Sequence, residues 1–151
     1  MELAALTGPD LIFPDLPNSD SATVLLAIAQ RMAEAGVVSD AAALYQGLRE
    51  REELGSTGLG GGVAIPHCKA KGTDQVRVSV GICRKGVDFG ASDGKPVRLF
   101  FTVVSPHDSP AAHLQSLAAI SRWVKEGRRV SRIVRRKDPE RIFELLREET
   151  G

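Results

Sequence analysis

Two cysteines in 151 residues, Cys68 and Cys83, are too few for a disulfide framework, and their spacing is not the CxxC of a zinc or redox site. Both are expected as reduced thiols. No stretch reaches the length of a membrane-spanning helix, since the most apolar one, Val97 to Ser105, is bounded by Lys95-Pro96 and Pro106. Membrane insertion is therefore not expected. The N-terminus has no basic region leading into an apolar core, so an export signal is not expected and a cytoplasmic protein is. The GxxxxGK[ST] pattern of a nucleotide-binding loop is missing, as is a GxGxxG opening a helix. Nor is one sign of charge in excess: 20 Lys and Arg against 19 Asp and Glu leave a formal charge of +1, which excludes a strongly basic protein.

What is present, 42% hydrophobic and 26% charged residues, reads as an ordinary soluble globular chain. Its length suits one domain, residues 1–151, with a full core. The near-neutral total hides an asymmetry, because half of the 20 basic residues lie between Arg122 and Arg147. That segment includes Arg128, Arg129, Arg132, Arg135, Arg136 and Lys137. It reads as a solvent-facing coat, as a dock for an acidic protein partner, or as a nucleic-acid contact. The last is disfavoured by the scarcity of aromatics beside it, Trp123 being the only tryptophan.

In chain order, residues 1 to 20 carry Pro9, Pro14 and Pro17 and read as an extended lead-in with at most a short strand or turn. Ser21 is placed to cap a helix over Ala22 to Ala35, stopped by Gly36, and Ser39-Asp40 to cap a second over Ala41 to Glu53. The glycine-rich stretch that follows is expected as a turn or loop, because interior glycine costs a helix about 1 kcal/mol per residue. Val76, Val78, Val80 and Ile82 alternate with Arg77, Ser79, Gly81 and Cys83, the signature of a strand with one buried face. Val97 to Ser105 has no polar face and belongs in the middle of a sheet covered on both sides. Residues 85 to 95 make an excursion with a tight turn between these strands. A helix from Pro110 to about Glu126 should end near Gly127, a short basic helix lies around Val130, Ile133 and Val134, and Asp138-Pro139 starts the last one. The order predicts an α/β sandwich, a mixed β-sheet flanked by helices.

The chemistry concentrates in Arg51 to His67, REELGSTGLGGGVAIPH. Glycines alone leave a structural turn and a catalytic loop both open, since each uses the same backbone freedom. The histidines shift that balance. His67 follows Pro66 at the end of an apolar run, where its ring can be held at a sheet edge. His113 lies in the opening turn of a long helix, where the dipole favours an anion. His107 sits in a loop with no pattern behind it. Neutral imidazole is a capable nucleophile near neutral pH. His67 would attack phosphorus, His113 would hydrogen-bond a phosphoryl oxygen or orient the first ring, and Arg51 would set a positive fork on the oxygens. Ser56 and Thr57 would add neutral donors. A zinc site from His67, Cys68, His107, Asp108 and His113 is disfavoured by the ligand spacing, and a Cys68 peptidase has no orienting residue. No metal or cofactor is called for.

The stretch Arg51 to His67, with HLQSLAAIS from His113 to Ser121 at a matching separation, resembles the mannitol/fructose-type enzyme IIA domains of the bacterial sugar phosphotransferase system, including their nitrogen-regulatory members. The resemblance covers nearly the whole chain. It implies that His67 is the phosphoryl acceptor, that Arg51 and His113 support it, and that the fold is a mixed sheet between helices. It further implies a donor, HPr or a nitrogen-type relative, and a recipient, either a IIB domain or a regulatory target protein. The alternative function is a IIA-like module that binds a protein or nucleic acid through its basic C-terminal surface. Two features depart from the family pattern. Glu126 to Lys137 is shorter and more basic than expected, and Cys68 directly after the acceptor suggests sensitivity to oxidation.

Overall fold

The computed structural model describes residues 2–126 and 128–148. Its centre is strand β6, Val97–Ser105, in which Leu99, Phe100, Phe101, Val103 and Val104 are wholly buried. Each such side chain contributes about 2 kcal/mol when taken out of water. Because successive strand residues point to opposite faces, this run requires cover on both. Leu99, Phe101 and Val103 enter a core with Ile120, Trp123, Ile133 and Ile142, whereas Phe100 and Val104 enter another with Leu25, Ile28, Met32 and Leu48. Helices α1 (Ser21–Glu34) and α2 (Ala41–Glu53) thus cover one face. Helices α3 (Pro110–Val124), α4 (Arg129–Val134) and α5 (Pro139–Arg147) cover the other.

The sheet runs β1 (Ile12–Phe13), β5 (Arg77–Val87), β6, β3 (Val63–Ala64), β2 (Gly58–Gly60), with β4 (His67–Lys69) also paired to β6. It is mixed, since β5 is antiparallel to β6 while β3 and β4 are parallel to it. The expected α/β sandwich is the observed architecture.

Four local expectations change. Asp20, not Ser21, caps α1 by accepting a hydrogen bond from the Thr23 amide at 2.8 Å, a carboxylate being the stronger acceptor. The lead-in contains two 3-10 turns, Leu3–Leu6 and Pro9–Leu11, besides its short strand. The glycine-rich stretch is not all loop, because β2 and β3 form a small antiparallel hairpin within it. Finally, β5 is buried on both faces rather than one. Val78, Val80 and Ile82 face the α3–α5 core, and the other row carries Ser79, Gly81 and Cys83, small enough to lie under a close cover. A Cβ on Gly81 would stand 2.4 Å from Leu16 Cδ1. The capping of α2 by Asp40, the central β6, the short basic α4 and the Asp138-capped α5 are as expected. The stop expected at Gly127 lies outside the described residues, with α3 itself ending at Val124.

Beyond Cys83, β5 continues to Val87 through an irregularity where the backbone turns at Gly86, φ +84°. A Cβ there would meet Pro96 Cβ at 2.7 Å as well as adopting a left-handed conformation. Both effects oppose a side chain, so Gly86→Ala should destabilise the fold by about 3 kcal/mol. A melting temperature lower by roughly 10 °C would express that loss; an unchanged melt would show that the β5–β6 connection yields freely.

Candidate functional site

Strands β3 and β4 lie end to end along the same side of β6, Val63 and Ala64 opposite Leu99 and Phe100, then His67 to Lys69 opposite Val103 to Ser105. Ile65 and Pro66 interrupt them. Proline has no amide hydrogen for the ladder, and only its carbonyl stays engaged, accepting from the Val103 amide at 2.9 Å. The Ile65 carbonyl is turned to the ring of His67 instead, with Nδ1 at 2.8 Å. A carbonyl can only accept, so Nδ1 carries the ring proton and Nε2 keeps its lone pair. Arg51 agrees with that assignment: its Nε donates to His67 Nε2 at 3.2 Å, and its Nη1 donates to the Gly55 carbonyl at 2.9 Å. The last turn of α2 therefore lays a guanidinium across the free nitrogen.

His113 completes the group. Its ring centre is 5.4 Å from that of His67, and the residue is buried. Its Nδ1 lies 2.5 Å from Ser105 Oγ at the end of β6, while Ser116 Oγ donates to its carbonyl at 2.6 Å. The fold thus brings together Arg51, His67 and His113 from α2, β4 and α3. Ser56 and Thr57 are nearby in the chain, but both hydroxyl hydrogens are already engaged by other protein groups. Ser56 donates to the Phe89 carbonyl at 2.7 Å and accepts from the Gly58 amide. Thr57 donates through its hydroxyl to Glu52, which also accepts from the Thr57 amide at 3.1 Å. In this arrangement the two residues secure the glycine hairpin, with Glu52 as the tie to α2. Glu52 had no role in the sequence reading, although a carboxylate next to Arg51 and five residues before a threonine was the available signal. Ser105 was also missed, the one polar residue on its face of β6.

Burial governs the electrostatics. It raises the Glu52 carboxyl above its ordinary range, against the two Thr57 bonds and the Arg51 charge. It lowers His67, the Arg51 charge adding to the effect and the Ile65 bond opposing it, and it lowers His113, with His67 and Lys69 adding to the effect. Both rings are accordingly favoured in the neutral form at neutral pH. Below about pH 6.5 unfolded histidine binds a proton that these folded rings refuse, so their contribution to stability should fall with pH there and return above it. NMR titration should place both midpoints below 6.5, with melting temperature declining as pH drops past that value. Midpoints above it would contradict the burial argument.

Other candidates stand apart. Cys68 follows His67 but points to the opposite side of β4, toward Gly47 on α2, and lines a cavity of about 350 Å³ with Leu44 and His107. Burial pushes its thiol up to about 11, which disfavours the thiolate that oxidation requires. Among the described residues no three His, Cys, Asp or Glu side chains are grouped to hold a metal, and no helix is long and apolar enough to cross a membrane. Arg136 of the basic segment lies at the other end of β6. Arg84 donates to the Arg136 carbonyl at 2.6 Å, and Arg98 donates to the Arg84 carbonyl at 2.9 Å. Arg98 and Ser105 are separated by about 23 Å of strand, so this surface is no part of the histidine site.

Known proteins share this arrangement of chain. Residues 5–149 match the family described as phosphoenolpyruvate-dependent sugar phosphotransferase system, EIIA 2. A nitrogen regulatory protein of Bradyrhizobium diazoefficiens is 30% identical over 146 residues, 97% of this chain and 95% of the relative. A PTS system fructose-specific EIIA component of Haloferax volcanii is 32% identical over 121 residues, 80% of this chain and 79% of the relative. The crystal structure of nitrogen regulatory protein IIA-Ntr from Neisseria meningitidis superposes with a TM-score of 0.86 at 26% identity, covering 95% of this chain and 98% of that one.

Proposed function

The chain belongs to the phosphoenolpyruvate-dependent sugar phosphotransferase system EIIA 2 family, and from that premise we propose that it is a phosphocarrier whose acceptor atom is His67 Nε2. One observation carries the reading. The Ile65 carbonyl holds the ring proton on Nδ1, leaving the Nε2 lone pair to accept from the Arg51 guanidinium. In the transfer, the N–P bond of a donor phosphohistidine breaks and its nitrogen keeps the electron pair. The His67 lone pair forms the new N–P bond, and the ring proton stays on Nδ1, donated to the Ile65 carbonyl. Arg51 moves from the lone pair to the phosphoryl oxygens, where its fixed charge is of most use as negative charge spreads over them. His113 supplies a neutral donor from the other side.

The donor is a protein, HPr or its nitrogen-type relative. Supporting this, three exposed leucines flank the site residues in the chain: Leu54 beyond Arg51, Leu59 in the glycine hairpin and Leu114 beside His113, exposed by 85%, 46% and 66%. Apolar side chains left in water around a reactive group suit a docking partner. The recipient is a IIB domain or a regulatory target, and the whole of residues 1–151 acts as one IIA unit. Incubation with phosphoenolpyruvate, enzyme I and HPr should add one phosphoryl group to the intact mass, acid-labile and stable to alkali. A folded protein that gains no mass would move the function to partner binding through the remote basic surface.

A further inference from the structure

Ser105 ends β6 in the row that begins with Leu99, Phe101 and Val103, and is wholly buried against α3. Its backbone is fixed by pairing with Lys69 and by the Ala70 amide on its carbonyl at 2.9 Å. Its hydroxyl meets His113 Nδ1 at 2.5 Å, and among the described residues that is its one side-chain hydrogen bond. Two placements of the hydrogen satisfy the distance. With a proton on Nδ1, the serine hydrogen would need a second acceptor in a site closed to water, at a cost of about 1–3 kcal/mol if none is found. With Nδ1 unprotonated, the single bond satisfies both groups. The serine then donates, and the ring hydrogen must reside on Nε2.

We propose that Ser105 is a positioning residue that holds His113 as its Nε2–H tautomer, so that toward a phosphoryl group on His67 it is a donor and never an acceptor. The inference rests on the phosphocarrier reading and specifies the part His113 plays in it. A lone pair on Nε2 would repel the phosphoryl oxygens, whereas an N–H stabilises charge as it develops there. Ser116 complements the arrangement by donating to the His113 carbonyl, so backbone and ring are each anchored by a buried hydroxyl. The signal is specific: Ser105 is the polar end of a strand whose other residues on that face are apolar, and it lies eight residues before the histidine it addresses.

The test is side-chain nitrogen NMR of the full chain, paired with the rate of phosphoryl uptake from phosphorylated HPr. Wild type should show His113 with an unprotonated, hydrogen-bonded Nδ1 and a protonated Nε2. In Ser105→Ala the Nδ1 resonance should move to that of a free pyridine-type nitrogen, and uptake should slow by about tenfold while its end point stays at one group. Ser105→Thr, which keeps the hydroxyl, should restore both. A wild-type ring protonated on Nδ1 would overturn the proposal, and this spectrum decides even where the alanine variant fails to fold. So would a folded Ser105→Ala with wild-type spectrum and rate. Wild type that takes up no phosphoryl group would overturn the phosphocarrier reading and the role of Ser105 with it. Uptake with the wrong tautomer overturns the Ser105 assignment alone.

Discussion

His67→Ala is expected to take up no phosphoryl group under conditions in which the wild-type chain gains one. The substitution removes the ring nitrogen whose lone pair accepts from Arg51, and neither His113 nor Cys68 can replace it. His113 is buried, and its Nδ1 is bound to Ser105. The Cys68 thiol faces away and is held protonated by burial. The loss should also be chemical rather than structural. His67 is only partly buried at a sheet edge, and alanine there gives up two side-chain hydrogen bonds, each worth about 1 kcal/mol, from a total stability of about 5–15 kcal/mol. The check is intact mass beside a thermal melt. A folded variant that still gains an acid-labile phosphoryl group would assign the chemistry to another residue.

Arg51→Ala carries the second large effect, and two opposed terms set its sign. In the resting site Arg51 Nε occupies the lone pair of His67, so removing it frees the nucleophile by about 1 kcal/mol. In transfer the same guanidinium faces developing negative charge, and losing such a donor costs about 3–4 kcal/mol. The second term wins. Uptake should fall by roughly a hundredfold, measured as the rate of mass gain from phosphorylated HPr. Arg51→Lys should recover only part of this. An ammonium is a point charge and cannot keep one donor on Gly55 while offering another to the oxygens, as the planar fork does. A variant as fast as wild type, or faster, would mean that Arg51 only restrains the resting ring.

Much of this was legible because local signals and global fold agree. The unbroken apolar run of β6 called for cover on both faces, and the caps at Asp40 and Asp138 marked the starts of α2 and α5. The three groups of the site could be named because two sit in one motif and the third opens a helix. What stayed hidden was set by tertiary placement. The period-two pattern of β5 could not reveal that Ser79, Gly81 and Cys83 are small to admit a close cover, since small and exposed residues look alike in sequence. Nor could it reveal that the Ile65 carbonyl chooses the tautomer of His67, because a main-chain oxygen leaves no trace in the residue pattern. Ser56 and Thr57 were read as phosphate donors from their place in the motif, but which way a hydroxyl hydrogen points depends on partners as distant as Phe89.

The hairpin between β2 and β3 turns on Gly60, Gly61 and Gly62, at φ values of +85°, +65° and +84°. At Gly61 no atom lies within 4 Å of where a Cβ would be built, so nothing crowds the position. Its intolerance is purely one of handedness. An L-alanine there is strained although it touches nothing, whereas a D-alanine placed by chemical synthesis matches the dihedral and limits the wandering of the unfolded chain. The stretch that leads into His67 therefore resists most L-side chains by handedness alone and is open to their mirror image, and the mutational tolerance of this surface cannot be judged from how much of it meets solvent.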